Sequence, residues 1–197
     1  MLRRMRVSLT FASALAAGLA LSAPARAEPY AQEIETARAL AQDFQKSLKS
    51  ALMKAISEGG PQNAIGVCNV RAPQIAADLS QRSGWRVGRT ALKVRNPGNA
   101  PSAREEAVLR SFQKSLAAGK DPKSLEAVAV VETGDGRSLH YMKAIPTGEV
   151  CTTCHGKDVD PELLATIRET YPQDEAVGFE AGELRGAFTF YKPLEAN

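Results

Sequence analysis

Cys151-Thr152-Thr153-Cys154-His155, followed by Gly156, is a C-x-x-C-H run in the last quarter of a 197-residue chain. That spacing is the attachment signature of c-type haem, in which both thiols form thioethers to the porphyrin vinyl groups and the adjoining histidine ligates the iron. Two cysteines three residues apart lie on one side of a single helical turn. Both therefore reach one edge of a macrocycle, and the next residue can swing its imidazole under the metal. Two other readings compete. A dithiol redox pair wants a βαβ setting, which is not evident around residue 151. A zinc site needs four ligands, and outside the run only Cys68 and His140 are at hand to complete a sulfur and imidazole set, at irregular spacing.

The N-terminus supports the haem reading. Residues 1–27 carry Arg3, Arg4 and Arg6, then an apolar run from about residue 7 to 21, then Ala25-Arg26-Ala27. This is the layout of a cleavable secretory signal, too short for a spanning helix and ending in small residues and Pro24. The expectation is a mature chain of residues 28–197 forming one haem-c-binding domain, exported, periplasmic in a bacterium, and soluble. Losing Arg3, Arg4, Arg6 and Arg26 turns the formal +3 into −1. A balanced surface leaves no footprint for nucleic acid or an anionic membrane. Nothing after residue 27 is long and apolar enough to span a bilayer, so an integral membrane protein is not expected.

The chain has three cysteines. Two sit in the motif, leaving Cys68 as an odd thiol in an oxidising compartment. Residues 28–58 read as one long helix, with Ile34, Ala37, Ala41, Phe44, Leu48, Ala51 and Ala55 at spacings of three and four, ended by Gly59-Gly60-Pro61. Its stripe faces a core; a homodimer seam is the alternative. A second helical segment starts near Pro61 and puts Ile65, Cys68, Ala72, Ile75 and Leu79 on a buried stripe, kinked at Pro73 and stopped by Ser83-Gly84. Residues 85–95 look extended. Ser102 with Glu105 forms a capping box that opens a helix running to Gly119. Residues 125–131 and 138–145 form a hairpin about Gly134-Asp135-Gly136 and lead into the motif. Asp160-Pro161 opens another helix, and a last strand covers 184–191. Helices first, then an antiparallel sheet built from hairpins, make an α+β domain.

A motif of this kind fixes one axial ligand, His155. The residues available for the other side of the iron are Cys68, His140, Met142, Met53 and the lysines. His140 and Met142 share one face of the strand before the motif. The bland alternatives are a hydrogen-bonded strand histidine, a packing methionine and a small buried cysteine.

Four separated stretches, AIGVCNVRAPQIA around Cys68, RTALKVRNPGNAP from Arg89, VCTTCHGK, and GELRGAF, make the chain resemble a known family. It is a c-type haem domain of PAS-like fold, found in small exported cytochromes and in the sensory regions of some bacterial histidine kinases. The resemblance implies a five-stranded antiparallel sheet with flanking helices and a haem at its edge. It also implies a His/Cys axial pair, matched here by His155 and Cys68. Haem binding would then involve Cys151, Cys154, His155 and Cys68, with His155 and Cys68 on the metal, and one covalently bound haem c as cofactor. Such a chain is expected to be a monohaem cytochrome carrying one electron at a time to a redox partner protein, rather than a catalyst. A thiolate stabilises ferric iron, and a preference of roughly 4 to 6 kcal/mol lowers the potential by about 170 to 250 mV. The alternative is a haem-based redox or gas sensor acting through a separate protein. Arg71, Lys93 and Arg95 are candidate partners for the haem propionates.

Overall fold

The computed structural model describes residues 29–195, so the expected signal segment lies outside the described residues. Helix α1, Ala31–Gly66, opens the fold. Its periodic face buries Ala37, Leu40, Ala41 and Phe44, which satisfies the stripe against this chain's own sheet. The expected stop at Gly59-Gly60 is a kink instead. Gly60 has φ 71° and ψ −173°, a conformation open essentially to glycine alone, and Pro61 restarts the helix.

The next stretch differs more from expectation. Val67–Arg71 is a turn of π-helix, and α2, Ala72–Ser83, follows with Pro73 in its first turn. Proline has no amide hydrogen and its ring crowds the preceding turn, so widening the helix by one residue relieves both problems. Cys68 lies in this widened turn and is half-buried rather than buried. Gly84, with φ 70°, ends α2 by donating its amide to the Ser80 carbonyl at 3.0 Å.

Strand β1 is shorter than expected, Arg86–Thr90. Ser102 and Glu105 make the capping box of α3, Ala103–Ala117. The hairpin is β2, Glu126–Thr133, and β3, Gly136–Pro146. The motif forms a short helix α4, Glu149–His155, and Asp160 caps α5, Pro161–Thr170. Strand β4, Leu184–Pro193, closes the chain.

The sheet is antiparallel throughout, in the order β1-β4-β3-β2. One face, with Leu139, Tyr141, Phe188 and Phe190, packs on α1 and α2. The other, with Met142, Ala144 and Ala187, packs on α3 through Leu109 and Phe112. This is the expected α+β, PAS-like arrangement, with four strands among the described residues where the resemblance implied five. No described helix is long and apolar enough to cross a membrane.

Candidate functional site

Helix α4 places Cys151 and Cys154 three residues apart, both half-buried, with His155 at its end. Gly156 follows with its backbone pressed against the helix, so close that a Cβ there would stand 2.4 Å from the Thr152 carbonyl oxygen. Any other residue would push the end of the motif away. The segment before β4 is strapped to this turn, the amides of Gly178 and Phe179 donating to the carbonyls of Gly156 and His155 at 2.8 and 2.9 Å.

The imidazole of His155 is oriented by the same segment. Its Nδ1 lies 2.6 Å from the Ala176 carbonyl oxygen, which can only accept. Nδ1 therefore carries the proton and Nε2 keeps its lone pair, the tautomer a metal ligand needs. Burial, with Arg185 and Arg95 nearby, holds the ring's pKa well below its usual value and keeps it neutral.

Behind the turn lies a buried ion pair. Arg95, 8% exposed, holds Asp174 through two hydrogen bonds of 3.0 Å, and the Asp174 side chain is 1% exposed. Arg95 also donates to the carbonyls of Cys154 at 2.6 Å and Ala176 at 3.3 Å. Asp174 accepts the Ala176 amide at 2.9 Å. One arginine thus ties the motif to the residue that orients its histidine. Arg95 is therefore a positioning residue rather than a free cation for a propionate. Lys93 donates to the Val177 carbonyl at 2.5 Å and sits over the Phe179 ring, and exposed Arg71 binds Gln74.

Cys68 is brought to the motif by a small core. Ile65, three residues before it, packs with Leu163, Ile167 and Tyr171, and Cys154 borders that cluster. The Cys154 thiol's pKa is raised, chiefly by burial, and Cys68 and Cys151 are near enough to push it the same way. Arg89, Arg185 and Tyr171 also lie within electrostatic reach of Cys68.

The other ligand candidates go elsewhere. His140 is fully buried on the α3 side of the sheet, where Nδ1 accepts from Arg104 Nε at 3.0 Å and Nε2 faces Thr189 Oγ1 at 2.9 Å. Both ring nitrogens are engaged, which removes His140 from the zinc reading and from the iron. Met142 is core packing against α3, and Met53 is 44% exposed.

Does the site suit a haem? The thiol pair on one helical face and the neutral, oriented His155 match the donor set. Tyr171 supplies a further mark: its hydroxyl is buried with no hydrogen-bond partner among the described residues, and burial pushes its pKa up to about 12. A buried hydroxyl left unpaired is costly, so a group that would accept from it fits here. Asp174, Tyr171, Arg89 and Arg185 were missed by sequence reasoning. Arg89 and Arg185 lie in the family stretches, yet nothing local distinguishes them from surface cations.

A family model described as Tll0287-like (Tll0287) matches residues 19–193. The solved structure of a relative, titled the crystal structure of the cyanobacterial heme-protein Tll0287, matches with a TM-score of 0.64 at 26% identity, covering 87% of this chain and 99% of that one. No curated protein matches. With its fold and nearly its whole length matched, the chain belongs to the Tll0287-like family.

Proposed function

We propose that this protein binds one haem c covalently through Cys151 and Cys154, with His155 and Cys68 as axial ligands, and works as an exported low-potential one-electron carrier. The observation that carries the reading is the hydrogen bond from His155 Nδ1 to the Ala176 carbonyl at 2.6 Å, because it leaves Nε2 available beside two thiols on one helical face. A haem-protein relative supports the same cofactor. When bound, haem supplies a one-electron couple at iron.

The chain's residues account for the rest. Arg95 and Asp174 keep the motif turn and the Ala176 carbonyl in register, so the imidazole is pre-aligned. Cys68, as thiolate, donates charge and favours the ferric state. The same thiolate gives the second reading, a sensor, some footing. The π-turn that holds Cys68 is an interruption of the kind that marks functional sites in helices, and its repacking on loss of a ligand would move α2.

The test is the intact mass of the protein after maturation in a haem-attaching host, together with its pyridine haemochrome spectrum. One haem added in the wild type, and none retained covalently when Cys151 and Cys154 are both changed to Ser, is the expected result. A mature protein free of haem refutes the proposal. Carbon monoxide then separates carrier from sensor: a ferrous protein that resists it behaves as a closed carrier, whereas rapid binding favours the sensor.

A further inference from the structure

Arg89 and Arg185 have no carboxylate partner among the described residues, whereas Arg95 beside them is paired with Asp174. Arg89 stands on β1 opposite Phe188, its guanidinium carbon 5.6 Å from the centre of the Phe44 ring. It is half-buried and is one of the residues lining a cavity of about 640 Å³ that runs past Ala72 and Pro73 at the start of α2. Arg185 stands near the start of β4 and gives a single hydrogen bond, to the Lys93 carbonyl at 3.2 Å. Its guanidinium carbon lies 5.2 Å from the centre of the Phe179 ring, which meets His155 edge-on at 6.4 Å. One aromatic ring therefore separates Arg185 from the expected iron ligand.

Arg185 is close enough to Arg95 and Arg89 to be repelled by both, and the ion pair of Asp174 is with Arg95. Burial and that repulsion pull the pKa of Arg185 down to about 10. Two half-buried cations within reach of each other, neither in an ion pair among the described residues, favour an anion that can join them. The unpaired hydroxyl of Tyr171 adds a free donor near Arg89.

Resting on the haem reading above, we propose that Arg89 and Arg185 bind the two propionate carboxylates of the haem, with Tyr171 as an additional donor at that edge. The charges match. The porphyrin dianion and the Cys68 thiolate cancel the charge of ferric iron, leaving two carboxylates for two guanidiniums. A guanidinium suits this role because its planar fork meets a carboxylate through paired N–H bonds and stays charged when buried. Both cations favour the electron-rich ferrous state, so they offset part of the lowering that the thiolate imposes.

The test uses the matured holoprotein, wild type and with Arg89→Gln, Arg185→Gln, both together, and Arg185→Lys. Haem content and mass come first, since a wild type without haem refutes the haem reading itself. With haem present, potentiometric titration is expected to show each Gln variant disfavouring reduction about tenfold, about 59 mV for one electron, with the double variant lower still and Arg185→Lys close to wild type. The ferric absorption spectrum stays unchanged, which separates this effect from loss of an axial ligand. A double Gln variant that carries haem at the wild-type potential overturns the proposal. If the Gln variants do not mature, resonance Raman spectra of wild type and Arg185→Lys decide: a shifted propionate bending frequency supports the contact, and identical frequencies overturn it.

Discussion

Asp174 shows how much of this site rests on a residue that touches no cofactor. Its carboxylate neutralises buried Arg95, and Arg95 holds the Cys154 and Ala176 carbonyls. Removing one member leaves the other charge buried alone, so Asp174→Asn should destabilise the protein by about 3 to 5 kcal/mol, read as a lower urea midpoint. Replacing both, Arg95→Met with Asp174→Leu, should recover much of that loss; a double variant as weak as the single one would contradict this reading. Tyr171 makes a different prediction. Its unpaired hydroxyl opposes folding of the apoprotein, so Tyr171→Phe should leave the apoprotein as stable or up to about 1 to 3 kcal/mol more stable, yet lower the melting temperature of the holoprotein. Equal shifts in the two forms would argue against a cofactor partner for this hydroxyl. The sequence reveals the motif because its chemistry is local. It hides Asp174 because the partner of Arg95 lies 79 residues along the chain.

Helix ends were legible for the same reason. The Ser102–Glu105 box, the Asp160 cap and the Gly84 stop each depend on side chains within a few residues. What could not be read is how interrupted helices continue. Gly59 and Gly60 kink α1 without ending its course, and Pro73 is accommodated by a π-turn upstream rather than by a kink at its own position. The kink aims the segment carrying Ile65 at α5, into the cluster that Cys154 of the motif borders. A Cβ at Gly60 would meet nothing nearer than Gln62 at 3.6 Å, so Gly60→Ala introduces backbone strain with no clash. A loss of about 1 to 3 kcal/mol is expected in urea unfolding. An unchanged midpoint would mean that the kink is not held at this residue.

Across the whole molecule, the sheet separates two environments: α1 and α2 on one face, α3 on the other. The α+β class followed from the order of helices and hairpin. The strand count did not: the resemblance implied five strands where four are described, and of the stretch 85–95 that looked extended only β1, Arg86–Thr90, is a strand. On the α3 face, His140 is stacked on Tyr191, with ring centres 4.1 Å apart, and linked to Thr189, which donates to Glu105 at 2.5 Å. Burial, with Arg104 and Arg86 adding to it and Glu105 opposing, lowers the pKa of His140 to about 4. The unfolded chain takes up a proton near 6.5 and the folded chain does not, so this stability is full above 6.5 and disappears as pH falls through 4. A shift of that size corresponds to about 3 kcal/mol. His155 in the apoprotein acts with the same sign, and Glu105, held below the usual carboxylate range, adds its own loss only at lower pH. Denaturant unfolding of the apoprotein between pH 6.5 and 4.5 should therefore be less pH-dependent in His140→Gln than in wild type, and equal slopes would contradict the burial argument. The axial pair is tested most directly by near-infrared absorption and electron paramagnetic resonance of the ferric holoprotein beside its Cys68→Ser variant. A low-spin thiolate signature in the wild type, lost in the variant with a rise in potential of roughly 170 to 250 mV, is the expected result. A wild type without thiolate features, or a variant with an unchanged spectrum, would contradict His155 and Cys68 as the ligands.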